Sequence, residues 1–132
     1  MEWSPISKPR DALERAPNLA DYPAAYRDFS WDQVRAQLDG LPGGGLNIAH
    51  EALFRHLKGP AADRVAIRFL AQGAAAKDCT YRELATDARR FANVLAQLGV
   101  QRGERVASLM GRVPPLYATV LGTLAAGAIY CP

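Results

Sequence analysis

The sequence predicts an α/β fold: a partial, doubly wound, mostly parallel sheet in residues 46–132, preceded by an irregular extension at residues 1–45. Three observations predict it. Apolar, β-branched runs at 65–70 and 106–110, and a further run starting at 128, alternate with helical patterns, the order that builds crossover units around a parallel sheet. The first intervening helix carries its own start and stop signals, Thr80 with Glu83 and Gly99. The links between elements are short, as such units require.

The extension is punctuated by Pro5, Pro9, Pro17 and Pro23 and carries Trp3, Tyr22, Tyr26, Phe29 and Trp31. That composition cannot close a core of its own, so it is expected to wrap over a larger body through its aromatics. Residues 31–38 read as a short amphipathic helix with Ser30 as N-cap, and Gly43, Gly44 and Gly45 then break regular structure. Residues 47–57 read as a helix capped by Asn47 and ended by Gly59–Pro60. A strand at 65–70 follows, and 77–81 could pair back on it as a hairpin. From Thr80, a capping box opens a helix whose Leu84, Ala88, Phe91, Leu95 and Leu98 form one stripe, with Gly99 at the left-handed stop. A strand at 106–110 leads to Pro114 and Pro115, which suit a helix start because their missing N–H groups are not needed there. In that helix Leu116, Val120, Leu121 and Leu124 are expected to pack, while Ala118, Gly122, Ala125 and Ala126 allow close approach. Gly127 ends it before the last strand.

Sixteen basic and thirteen acidic residues give a net charge of +3. The two signs are interspersed, so no phosphate-binding face is expected and nucleic acid is not a predicted partner. Residues 113–132 contain no charge, a length that could cross a bilayer. Two prolines at its start, Gly122, Gly127 and many small residues fit a buried helix and strand better, so no membrane association is predicted. Cys79 and Cys131 form no paired motif and read as free thiols. The opening residues lack an apolar run behind their charges, and the cytoplasm is the expected location.

The chain offers little chemistry of its own. Gly122 and Gly127 have the spacing of a phosphate loop, but Ala128 stands where the lysine belongs, and the stretch is helical. Gly43–Gly45 follows no strand. His50 and His56, six apart, point to different faces of a helix and gain no further ligands. Neither Ser30 nor Ser108 sits in a nucleophile elbow, and Cys79 has no activating motif. Glu83 and Glu104 read as a cap partner and a loop charge. No catalytic, cofactor-binding or metal-binding residue is predicted.

The strings themselves add a resemblance. Cys79-Thr80-Tyr81-Arg82-Glu83-Leu84 resembles the "TYxEL" motif of the adenylate-forming superfamily. The run from Leu124 through Gly127 and Tyr130 to Pro132 is similar to its "LKAGAxYxP", and the run from Leu98 to Ala107 to its "LGVxxGDRVA". The run from Leu46 to His56 resembles the "LNxAxxAxDRH" of the acetyl-CoA synthetase branch, and that from Met110 to Tyr117 its "MPRxPELY". Residues 22–31 look like the branch's aromatic lead-in. Gly111, Pro115, Ala125 and Phe54 depart from these patterns. The resemblance covers residues 18–132 and implies the N-terminal part of an AMP-forming acetyl-CoA synthetase. Such an enzyme joins acetate to CoA through acetyl-AMP, using ATP and Mg²⁺ and releasing pyrophosphate. The family's phosphate loop, ribose-binding aspartate and mobile-domain lysine match nothing here, so this chain is expected to be inactive alone. Its expected partner is the remainder of the synthetase, with self-association through an unpaired sheet edge. The alternative reading is a non-catalytic α/β binding or regulatory module.

Overall fold

The computed structural model describes Ser4 and residues 17–132; the readings of Trp3, Pro5, Pro9 and the opening residues lie outside the described part. The chain forms two compact units, Met1–Gln37 and Leu38–Pro132, dividing ahead of the glycine break at 43–45.

In the first unit, α1 (Tyr22–Arg27) is started by Asp21, whose carboxylate accepts the Ala24 N–H, and by Pro23 in the first turn. Helix α2 (Trp31–Ala36) is started by Ser30, whose hydroxyl accepts the Gln33 N–H. Both caps satisfy N–H groups that a short helix otherwise leaves unbonded. Neither helix buries a residue. Their aromatics pair locally, Tyr22 stacked on Tyr26 at 6.1 Å and Phe29 edge-on to Trp31 at 5.1 Å.

The second unit begins with a loop that leads to α3 (Ile48–Ala52), capped by Asn47 as expected. The helix expected over 47–57 is interrupted. At Leu53 the backbone leaves helical geometry (φ −131°, ψ −61°) and a 3₁₀ turn, Phe54–Leu57, replaces the last part. The cause is packing: Leu53 is fully buried against Leu84, Ala85 and Ala88. Burying a leucine contributes about 2 kcal/mol, more than one regular turn of so short a helix supplies.

A second 3₁₀ turn (Pro60–Asp63) precedes β1 (Val65–Phe69), which pairs antiparallel with β2 (Lys77–Thr80). The expected hairpin is present, with a bulge between Val65 and Ile67, and Leu70 lies outside the strand and exposed. Thr80 then opens α4 (Tyr81–Gln97) through a complete capping box. Leu84, Ala85, Ala88 and Leu95 are buried, but Leu98 is the C-cap and is 74% exposed, so the predicted stripe ends one turn early. The stop is reciprocal: Gly99 (φ +80°) donates to the Ala96 carbonyl and Val100 to that of Leu95, the paired bonds of a glycine-terminated helix.

Strand β3 (Arg105–Ala107) and β4 (Ile129–Cys131) pair in parallel across α5 (Pro114–Ala125). This β–α–β crossover is the parallel portion that the alternation predicts, while β1 and β2 form a separate two-stranded sheet. The strand expected over 106–110 stops at Ala107, although the Ser108 N–H still reaches the Cys131 carbonyl. Leu109 is fully exposed. Helix α5 meets α4 at Gly122, the close approach expected there, and buries Thr119 and Thr123 as well, while Leu116, Val120, Leu121 and Leu124 are only half-buried. Of the expected leucine–valine face, Leu121 packs against the Leu53, Leu84, Ala85 and Ala88 cluster; the full burial of Thr119 and Thr123 is the part not expected. A Cβ on Gly122 would come within 2.6 Å of the Ala88 carbonyl oxygen, so the small face is what allows two helix backbones to touch. The buried threonine hydroxyls are satisfied within the helix, Thr119 on Pro115 and Thr123 on Thr119.

No helix among the described residues is long and apolar enough to cross a membrane; the charge-free stretch 113–132 is α5 followed by β4.

Candidate functional site

The second unit carries an open groove of about 370 Å³ between β2, the first half of α4 and the start of α5, adjoined by a concavity of about 390 Å³ that shares Lys77, Cys79 and Asp87. The groove's walls carry Lys77, Asp78, Cys79, Arg82, Glu83, Asp87 and Arg90, so by composition it is the place where chemistry would be sought. Hairpin register places Asp78 opposite Arg68, and the two form a bidentate pair at 2.6 and 2.7 Å. Arg82, one residue into α4, reaches back to Asp63 at 2.8 and 3.1 Å. Arg90 contacts Asp87 one turn before it. Glu83 accepts the Thr80 N–H at 2.8 Å and the Thr80 hydroxyl at 2.9 Å, and the Glu83 N–H bonds the same hydroxyl.

These bonds fix the protonation states. The Arg68 guanidinium holds the Asp78 carboxyl below the usual carboxylate range, and Arg82 does the same for Asp63. The Thr80 N–H lowers Glu83. Burial pushes the Cys79 thiol up, and the negative charges of Glu83 and Asp87 push it further, so it stays protonated where a nucleophile needs to be a thiolate. The groove's guanidinium groups are thus matched by carboxylates of the chain itself, an arrangement that does not suit a triphosphate.

The remaining sequence candidates have structural roles. The His50 ring meets Asp39 at 2.7 Å, whereas His56 packs its ring 5.3 Å from Tyr81; the two histidines are not brought together. Among the described residues no group of three His, Cys, Asp or Glu could hold a metal ion. Ser30 caps α2, and the Ser108 hydroxyl bonds the Tyr130 phenol across β3 and β4. Gly122 is the contact point of α5 on α4, and Gly127 (φ +75°) is its stop. Sequence reasoning passed over one cluster, in which the Glu51 carboxylate accepts the backbone N–H groups of Asp39 (3.0 Å) and Gly40 (2.7 Å) and a bond from Arg55 (2.6 Å). Only the four-residue spacing of Glu51 and Arg55 signals it in the sequence.

With the geometry in place, comparison sets the class. The backbone matches an acyl-CoA synthetase of Brucella canis with a TM-score of 0.73 and 34% identity, over 83% of this chain and 20% of that one. A fatty acid AMP ligase of Legionella pneumophila matches with a TM-score of 0.60 and 26% identity, over 78% of this chain and 16% of that one. The fold is therefore that of adenylate-forming enzymes. Residues 53–132 match the family model described as AMP-binding enzyme, and the chain belongs to that family. It is 34% identical to an acetyl-coenzyme A synthetase of Bacillus subtilis over 122 residues, which is 92% of this chain and 21% of that protein. It is 36% identical to one of Methanothrix thermoacetophila over 119 residues, 89% of this chain and 18% of that protein. A 3-hydroxypropionyl-coenzyme A synthetase of Metallosphaera sedula is 32% identical over 104 residues, 76% of this chain and 16% of that protein. The chain spans about a fifth of the length of these relatives.

Proposed function

We propose that these 132 residues are the N-terminal architectural part of an AMP-forming acyl-CoA synthetase with acetate as its acid, and that alone they neither bind ATP nor form an acyl adenylate. In the complete reaction a carboxylate attacks the α-phosphate of ATP, pyrophosphate leaves, and the CoA thiol displaces AMP; Mg²⁺ accompanies the nucleotide. No residue here is assigned a step in that reaction. The observation that carries this reading is the groove, whose guanidinium and carboxylate side chains are committed to internal pairs and caps, Asp78 to Arg68, Arg82 to Asp63, Arg90 to Asp87 and Glu83 to Thr80. A site prepared for ATP would leave donors free to meet phosphate oxygens.

The partner is the rest of a synthetase. Support comes from the surface of the β3–α5–β4 unit, where Leu109, Val113, Tyr117 and Ile129 are exposed beside a sheet of only two strands. Unpaired edges and bare apolar surface draw association, so the isolated chain is expected to self-associate. Two free cysteines accord with the cytoplasm.

Titration calorimetry with Mg²⁺·ATP, run beside acetate-dependent pyrophosphate release, tests the proposal. The expected result is no binding heat and no release. Saturable ATP binding by this chain would overturn it and bring forward a free-standing binding module.

A further inference from the structure

The loop that opens the second unit is held by a side chain rather than by a sheet or helix. It runs from Asp39 to Gly45, turns through three residues of positive φ (Gly40 +72°, Gly43 +85°, Gly44 +81°) and closes on itself through the Leu41 N–H to the Gly45 carbonyl at 2.8 Å. Glycine at these angles carries the largest conformational freedom to be lost on ordering. What offsets that loss is concentrated on α3. The Glu51 carboxylate receives two successive backbone N–H groups, from Asp39 and Gly40, and is itself held by Arg55 one turn on. The neighbouring His50 ring, from the same helix, bonds the Asp39 carboxylate. The base of α3 is fixed in turn by Asn47, whose amide donates to the Leu124 carbonyl at the end of α5.

We propose that Glu51 is a latch: its ionised carboxylate holds the Asp39–Gly45 loop closed on α3, and loss of that single charge releases the loop while the α/β unit stays folded. Two features make it a latch and not general packing. Every named contact to the loop's first two residues is polar and runs to α3. Glycines supply the loop's turns, and from Asp39 to Gly45 no residue is fully buried, Leu41 being 37% exposed, so apolar packing holds the loop less firmly than the carboxylate does. Arg55 is the charged group that meets Glu51, beside the Gly40 and Asp39 N–H groups; His50, Lys58 and Arg55 act on the Asp39 carboxylate. Of the elements packed on α3, the 3₁₀ turn carries Arg55 and His56, and α5 carries no charge. Partial burial works to raise the Glu51 carboxyl, but the Gly40 and Asp39 N–H groups and Arg55 outweigh it and hold it below its ordinary value. The latch is therefore closed above the ordinary glutamate range and opens as pH falls through the lowered value.

Amide hydrogen exchange on the full chain reads the latch directly, because the bonded groups are themselves exchangeable amides. In the wild type, the Gly40 and Asp39 amides are expected to be protected. In Glu51→Ala they should exchange roughly 10-fold faster or more, the scale of a lost bond to a charged acceptor. The α4 amides, such as Ala88, should keep their protection. Glu51→Gln, which retains one acceptor oxygen, should fall between. Should Glu51→Ala also lose protection across α4, the wild type decides by titration: Gly40 and Asp39 amide shifts must follow one carboxyl group on acidification below about pH 5. Unprotected Gly40 and Asp39 amides beside protected α4, unchanged exchange in Glu51→Ala, or amide shifts that ignore the titration would each overturn the proposal.

Discussion

Substituting alanine for Gly122 tests the packing of α4 on α5 more sharply than any larger change. The added Cβ would stand 2.6 Å from the Ala88 carbonyl oxygen and 3.0 Å from both Cβ and Cδ1 of Phe91. The Phe91 ring can yield by rotating, but its Cβ is fixed by the backbone of α4. The carbonyl cannot yield either, because it is part of that backbone, so the two helices must separate. Overpacking of this kind costs about 1–3 kcal/mol. Alanine in a helix interior returns about 0.8–1.0 kcal/mol relative to glycine. The net expectation is a loss of about 1 kcal/mol, or roughly 4–8 °C in Tm for a unit of this size. Thermal melts by circular dichroism, repeated in urea, give the number. Gly45→Ala is the control, since nothing lies within 4 Å of a Cβ there and its φ is not positive; it should leave Tm within a degree or two. A Gly122→Ala chain that melts at or above the parent would refute the claim that backbone contact sets this interface.

Thr80→Ala removes the oxygen that accepts the Glu83 N–H and should cost about 1 kcal/mol, with Thr80→Ser recovering most of it in the same melt. Asp39, Glu51, Asp63, Asp78 and Glu83 are all held below their ordinary values, so they bind fewer protons folded than unfolded. Their contribution is complete above about pH 4.5 and is lost as pH falls through the lowered values; Tm should be flat from about pH 7 to 5 and drop below about pH 4, and a Tm that rises on acidification would contradict the pairing. With burial raising its thiol, Cys79 in a Cys131→Ser background should react with iodoacetamide at about pH 8 more slowly than an unstructured thiol. Urea should abolish the difference, and equal rates in buffer would count against the burial.

The sequence-readable parts of this fold are those decided within one turn of chain. Ser30, Asn47 and Thr80 cap helices because each needs only an N–H three residues ahead, and Gly99 and Gly127 stop them for an equally local reason. Reading failed where a distant surface decides. Leu53 breaks its helix to enter a core built by α4, which lies some thirty residues further on. Gly122 makes the close approach its lack of a side chain signals, but the burial of Thr119 and Thr123 in preference to the leucines of α5 is ranked the other way by hydrophobicity alone. The groove's neutrality was also out of reach, because Arg82 finds Asp63 and Arg68 finds Asp78 only once the hairpin has its register. Glu51 shows the same limit: its two N–H partners lie eleven and twelve residues back, at the start of the loop that the glycine break ends.

Asn47 has one further consequence, for the order in which the chain assembles. Its amide oxygen accepts the His50 N–H three residues ahead, a bond available as soon as that turn exists. Its amide nitrogen donates to the Leu124 carbonyl, 77 residues away. Closing so long a loop is entropically slow compared with a local turn. During synthesis the same side chain thus serves twice, first nucleating a helix start near the beginning of the unit and only much later tying that start to α5. A chain whose synthesis pauses before residue 124 carries a capped α3 with half of its anchor unused.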